Sequence, residues 1–305
     1  MILPRQLNLA RWFSFIDVIF LGAFRTCTVT LNILLTNDDG PKSPFLPALS
    51  AALSAHQQLG EIRIVVPAEE QSWIGQAVTR FRPLFVSTCA LEGRDICLVS
   101  GTPADCVGLG LHNLFSDTSS AVISGINFGT NASLPFYMNS GTVGAARQAV
   151  TFGVRSIALS ALIPEQIFRA WRHDDFDALK PFKLDFARIS RVAAALSVKL
   201  LEEACWEGVD MFSVNFPWEV DDHSEVVVTE LERGRYKPLY KLDGPNRYTH
   251  HFQGFHRPTR TGDELRVTDF EAIDAGKISL TPVRYESVCL PEATCAALAT
   301  ITAKS

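Results

Sequence analysis

From Thr28 to Asn215, short apolar runs alternate with segments of helical spacing, and this alternation limits the fold more than any other feature. Val29–Thr36 is almost continuously apolar, as expected of a strand covered on both faces. Pro44–Leu59 then places Leu46, Leu49, Ala52 and Leu53 on one side of a helix, with Ser43 as its cap and Pro44 at its first position. Ile62–Val66 is a second strand, and Leu84–Cys89 with Ile96–Val99 reads as a hairpin around Glu92-Gly93-Arg94. Pro103–Leu114 is helical, Ala121–Ser124 a short buried strand, Thr142–Phe152 a helix of small residues and Ser156–Leu159 another strand. Residues 163–185 read as a polar loop or lid, followed by a long helix, Phe186–Trp206, and the strand Met211–Asn215. Repeated βαβ units predict an α/β, Rossmann-like fold with an open, mostly parallel sheet and helices on both faces.

Past Pro217 the pattern changes. Short strands at Val226–Leu231 and Ile278–Pro282 flank a stretch, 235–275, rich in aromatic residues and histidine but without helical period. This predicts a C-terminal extended arm or subdomain. The expected organisation is an N-terminal extension over 1–30, outside the fold, a catalytic domain over 31–217, and an arm with a closing strand and helix over 218–305. The arm belongs to the same domain and makes the oligomer contact. The apolar run Trp12–Phe24 is too short to span a membrane and lacks a clear cleavage site, so the chain is expected in the cytoplasm, with export left open. The seven cysteines show no Cys-x-x-Cys spacing, which suits free thiols in a reducing compartment. Net charge is −5 and the basic residues are scattered, apart from a mild cluster between Arg233 and Lys241. Such a chain is not built to grip a long nucleic acid, though a ligand with one or two phosphates suits it.

Three polar loops follow strands, where an open parallel sheet binds its ligands. The first is Asn37-Asp38-Asp39-Gly40. Adjacent carboxylates repel unless a cation sits between them, and a hard divalent ion with oxygen ligands is the natural partner. A plain helix cap needs only one such residue. The second loop, Pro67–Ser72, says little alone. The third, Ser124–Asn131, mixes glycine with asparagine; its backbone can approach a small polar ligand, and an Asn oxygen can complete a metal shell. A fourth element, Ser140-Gly141-Thr142, opens the helix at 142, where free N–H groups and two hydroxyls form a phosphate cradle. No Lys follows, so it is not a Walker P-loop. Together these make a site for a metal and a phosphate.

The motifs ILLTNDDG (33–40), VVPAEEQS (65–72), GTPADCVGLGL (101–111), SGIN-x-G-x-N (124–131), SGTVGAA (140–146), SVNFP (213–217) and TDFEAIDAGKISLTP (268–282) occur in the order of a known family. The chain resembles the survival-protein-E (SurE) nucleotidases, the 5′/3′-nucleotidase family. The resemblance implies a hydrolase that uses one divalent ion, Mg²⁺ or Mn²⁺, to cleave nucleoside 5′- and 3′-monophosphates, and in some members short polyphosphate. It implies metal ligands at Asp38, Asp39, Ser72 and Asn127. It places Asn37, Asn131, Ser140, Gly141 and Thr142 around the phosphate, with Asp38, Asp39, Ser140 and Thr142 as the catalytic set. It also implies a homodimer or homotetramer joined through the C-terminal arm. Trp73 and Ser133 stand where the family usually has Gly, as does Phe45; Asn139 replaces a usual Tyr, with Tyr137 nearby. Two other readings fit an acidic loop after a first strand. A dehalogenase-like phosphatase would use Asp-x-Asp, but here the carboxylates are adjacent. A receiver-like phosphate-sensing switch needs an Asp at the end of a central strand, where this chain has Ser-Gly-Ile-Asn.

Overall fold

The computed structural model describes residues 30–117, 119–173, 184–203, 205–259 and 266–286. Residues 1–29, and with them nearly all of the expected extension, lie outside the described residues. In chain order the strands are β1 (Leu31–Thr36), β2 (Leu59–Pro67), β3 (Val86–Leu91), β4 (Arg94–Val99), β5 (Ala121–Phe128), β6 (Arg155–Ala161), β7 (Met211–Phe216), β8 (Val226–Val228), β9 (Arg235–Tyr236), β10 (Tyr240–Leu242), β11 (Tyr248–His250), β12 (Phe255–His256) and β13 (Ile278–Val283). The helices are α1 (Phe45–Ser54), α2 (Pro103–His112), α3 (Leu134–Asn139), α4 (Gly141–Thr151), α5 (Glu165–Arg172), α6 (Phe186–Glu202) and α7 (Asp269–Asp274).

β1 has almost no polar side chain to offer water, so it needs a strand on each edge and a helix layer on each face. β2 and β5 pair with it in parallel. The nine-stranded sheet has the order β3-β4-β2-β1-β5-β6-β7-β13-β8. The six strands from β4 to β7 are parallel. β3 is antiparallel at one edge, and β13, antiparallel to β7, brings β8 in at the other. The C-terminal segment therefore closes the same sheet.

Side chains alternate across the strands, and the two faces bury different sets. Ile33, Leu35 and Ile123 pack with Leu46 and Leu49 of α1, Ile167 of α5 and Ile189 of α6. Leu34, Val65 and Val122 pack on the other face with Cys106 and Val107 of α2 and Ala145 and Ala149 of α4. The four described cysteines, Cys89, Cys97, Cys106 and Cys205, are free thiols. Among the described residues no helix is long and apolar enough to cross a membrane.

The element boundaries depart from expectation where local chemistry competes. α1 begins one residue late with Pro44 as its uncapped N-cap, because the Ser43 hydroxyl turns to Asp39 instead, at 3.4 Å. The stretch 163–185 is not all loop. Glu165–Arg172 is a helix that buries Ile167 and Ala170 and pairs Arg169 with Glu165 one turn away; residues 174–183 lie outside the described ones. The arm is a nested hairpin in which β10 pairs with β11 and β9 with β12.

Candidate active site

The parallel register sets Thr36 of β1 opposite Ser124 of β5, so the chain leaves both strands at the same edge of the sheet. The turn after β1 is held from within. Asn37 donates its side-chain N–H to the Gly40 carbonyl and accepts the Gly40 N–H, both at 3.0 Å. Gly40 has φ +75°, which only glycine adopts without strain. That turn buries Asp38 and half-buries Asp39.

Each carboxylate is fixed by a different neighbour. Thr142 donates its hydroxyl, and its backbone N–H, to Asp38. Asp38 thus stands against the start of α4, where unpaired N–H groups and the helix dipole favour negative charge. The approach is close: a Cβ on Gly141 would lie 2.8 Å from that of Asp38. Ser140 caps α4 by accepting the Val143 N–H at 3.0 Å. Asp39 Oδ2 accepts the Phe128 N–H at 3.1 Å, tying it to the end of β5. The loop after β2 joins through Gln71, whose N–H donates to the Asp38 carbonyl at 2.7 Å.

Burial raises the Asp38 pKa from 3.8 to about 6, although the Thr142 bonds pull it down. Burial, and then the charge of Asp38, push Asp39 well above the usual carboxylate range. Glu70 adds negative potential at both. Among the described residues neither Asp forms an ion pair with Lys, Arg or His. The site holds more negative charge than its protein surroundings balance, which is the condition a cation relieves. The donors are oxygen only, and no group of three His, Cys, Asp or Glu side chains with metal-holding geometry occurs among the described residues. Two carboxylates with neutral oxygens fit a hard divalent ion and not a soft one.

The expected residues converge to different degrees. Asp38 meets Gly141 and Thr142 directly, and Asp39 and Ser140 adjoin them in the chain. Asn127 adjoins them through Phe128, and its side-chain N–H donates to the Gly129 carbonyl at 2.7 Å, which leaves Oδ1 as the atom suited to a cation. Ser72 is exposed, and its hydroxyl donates to Glu70 Oε1 at 2.7 Å. Asn37 is buried in its own turn. Asn131 is buried as well; its side chain donates to Ser160 Oγ at 2.7 Å and its backbone N–H to Asn215 Oδ1 at 2.9 Å.

Three contributors escape a reading of the loops alone. Glu70 is paired with Arg172 of α5 at 2.8 Å and so carries the Ser72 loop. Ser160 and Asn215 come from the interiors of β6 and β7. The available signal was a polar residue inside an apolar run: Asn215 in MFSVNF is fully enclosed, and a buried amide is kept for its hydrogen bonds.

Comparison with known proteins places these features in a family. The model of the family described as survival protein SurE matches residues 33–238. The 5′-nucleotidase SurE of Methanocella arvoryzae is 36% identical over 262 residues, covering 85% of this chain and 93% of that one. Its counterpart in Archaeoglobus fulgidus is 33% identical, covering 84% and 92%. The crystal structure of the SurE protein from Aquifex aeolicus superposes with a TM-score of 0.63 at 27% identity, covering 85% of this chain and 95% of that one.

Proposed function

The chain belongs to the SurE family, and from that premise we propose that it is a divalent-metal-dependent phosphatase of nucleoside 5′- and 3′-monophosphates. The observation that carries this reading is the pair of adjacent carboxylates, buried Asp38 and half-buried Asp39, without a protein counter-charge among the described residues, with Asp38 set against the start of α4. The relatives' name, 5′-nucleotidase, supports the substrate class. Action on 3′-monophosphates, and on short polyphosphate, rests on the motif resemblance.

Asp38, Asp39, Asn127 and Ser72 would hold one Mg²⁺ or Mn²⁺ ion, which supplies Lewis-acid charge neutralisation to a phosphoryl oxygen. The N–H groups at the start of α4, with the Ser140 and Thr142 hydroxyls, hold the remaining phosphate oxygens and stabilise charge during transfer. Asp38 or Asp39 orients the attacking water and takes its proton. Asn37 keeps the acidic turn closed, and Asn131, anchored on Ser160 and Asn215, is assigned to the phosphate side on the motif resemblance. We place a homodimer or homotetramer contact on the arm, where Tyr240, Leu242 and Tyr248 are about two-thirds exposed.

The test is release of inorganic phosphate from a panel of 5′- and 3′-monophosphates with Mn²⁺, with Mg²⁺ and with chelator. The proposal expects many turnovers per chain that depend on the metal. A switch domain would release at most one phosphate per chain, and a dehalogenase-like enzyme would trap a phospho-aspartate.

A further inference from the structure

Trp73 directly follows Ser72 and has φ +62°, a left-handed backbone that bulky residues rarely adopt. Among the described residues only three other non-glycine residues, Glu92, Ser133 and Asn246, have a positive φ. A glycine would hold such a turn freely, whereas a tryptophan needs its surroundings to keep it there. Those surroundings are four rings. Tyr236 stacks on the indole with centroids 5.1 Å apart and planes 27° apart. His250 meets it edge-on at 5.0 Å, Phe252 at 5.8 Å and Phe136 at 6.3 Å. Three of the four belong to the arm, and Phe136 belongs to α3.

The loop is thus held at three points. Gln71 is bonded to the Asp38 carbonyl, Glu70 is paired with Arg172 while accepting the Ser72 hydroxyl, and Trp73 is clasped by the arm. Beyond Trp73, Gly75 donates its N–H to the Asn139 carbonyl at 2.9 Å. Ser72 itself is exposed, and among the described residues its hydroxyl bonds to Glu70 alone. Its place relative to Asp38 and Asp39 is therefore set by its chain neighbours.

We infer that Trp73 is a positioning residue through which the arm fixes Ser72 for the metal. The inference rests on the metal-dependent reading above and adds to it that docking of the arm tunes metal affinity in this chain. Trp73 acts by packing and does not serve as a nucleobase platform.

Mn²⁺ binding by titration calorimetry, with melting in chelator as the control for folding, tests this on the full chain. Trp73→Gly suits the backbone conformation, so it is expected to melt in chelator no lower than wild type. It is expected to bind Mn²⁺ about tenfold more weakly, the scale on which residues supporting a ligand act. Tyr236→Ala should weaken binding in the same direction, and Trp73→Phe, which keeps a ring in the clasp, should restore most of it. Equal Mn²⁺ affinity in Trp73→Gly, Tyr236→Ala and wild type overturns the inference. So does a rise in KM for nucleotides with an unchanged KM for an aryl phosphate and unchanged Mn²⁺ affinity, since that is the signature of base stacking. If wild type itself binds no Mn²⁺, the metal-dependent reading fails and the inference falls with it.

Discussion

Asp38 illustrates how a residue is retained against its own stability. Burial and a neighbouring carboxylate both disfavour its charged form, so the metal-free fold holds it at a cost. Asp38→Asn keeps an oxygen to accept the Thr142 hydroxyl while removing the charge. It should lower turnover by at least about 100-fold, the upper end for disturbed metal sites, and should raise the melting point in chelator. Phosphate release and calorimetric melting check both; near-wild-type turnover would contradict the assignment. Asn215 is retained for a different reason. Its Oδ1 accepts from Asn131 N–H and from the Thr130 hydroxyl at 3.2 Å. Asn215→Leu leaves a buried N–H unpaired, which costs about 1–3 kcal/mol. Urea unfolding should show that loss, together with weakened turnover as Asn131 loosens.

At the scale of elements, the site depends on how closely α4 lies against the loop after Ser72. A Cβ on Gly144 would overlap the Gly75 carbonyl, so Gly144→Ala must push the helix or the loop away. Such overpacking costs about 1–3 kcal/mol, and the displaced loop should raise the Mn²⁺ concentration needed for half-maximal rate; both are read from unfolding curves and metal titration. Asp269, at the start of α7, ties three elements together by accepting N–H bonds from Ser133, Glu232 and Phe270. Burial nevertheless raises its pKa from 3.8 to about 6. Because the folded value lies above the unfolded one, the fold prefers the protonated acid. Its contribution to stability is full below about pH 4, falls as pH rises through the folded pKa, and is lost above about 6. Melting against pH in chelator should show a shallower fall over that window for Asp269→Asn than for wild type, and parallel curves would contradict this. The core parallel strands were legible because buried parallel strands are continuous apolar runs, and the acidic turn because no neutral loop needs two adjacent carboxylates; β9–β12 were expected only as an extended stretch. α3 and α5 were not, since a helix of one or two turns offers too few repeats to show a period. The Glu70–Arg172 pair and the Asn131–Asn215 contact join residues far apart in the chain, and only the folded sheet brings them together. The rings of the arm around Trp73 favour packing over base stacking.

For the whole molecule, charge is distributed unevenly. The chain carries −5 overall, yet the hairpin from β9 to β12, residues 235–256, holds Arg235, Lys237, Lys241 and Arg247 against Asp243 alone. A basic hairpin with exposed Tyr240, Leu242 and Tyr248 on an acidic protein is suited to meet a second copy. Sedimentation at micromolar concentration should give a dimer or tetramer, and replacing those three residues with Ser should shift it towards monomer. An unchanged mass after that replacement would place the contact elsewhere. The central claim concerns the reaction itself. Phosphate released from AMP should vanish after exhaustive chelation and return in proportion to added Mn²⁺ or Mg²⁺, saturating near one ion per chain. Full activity in the chelated protein would contradict it.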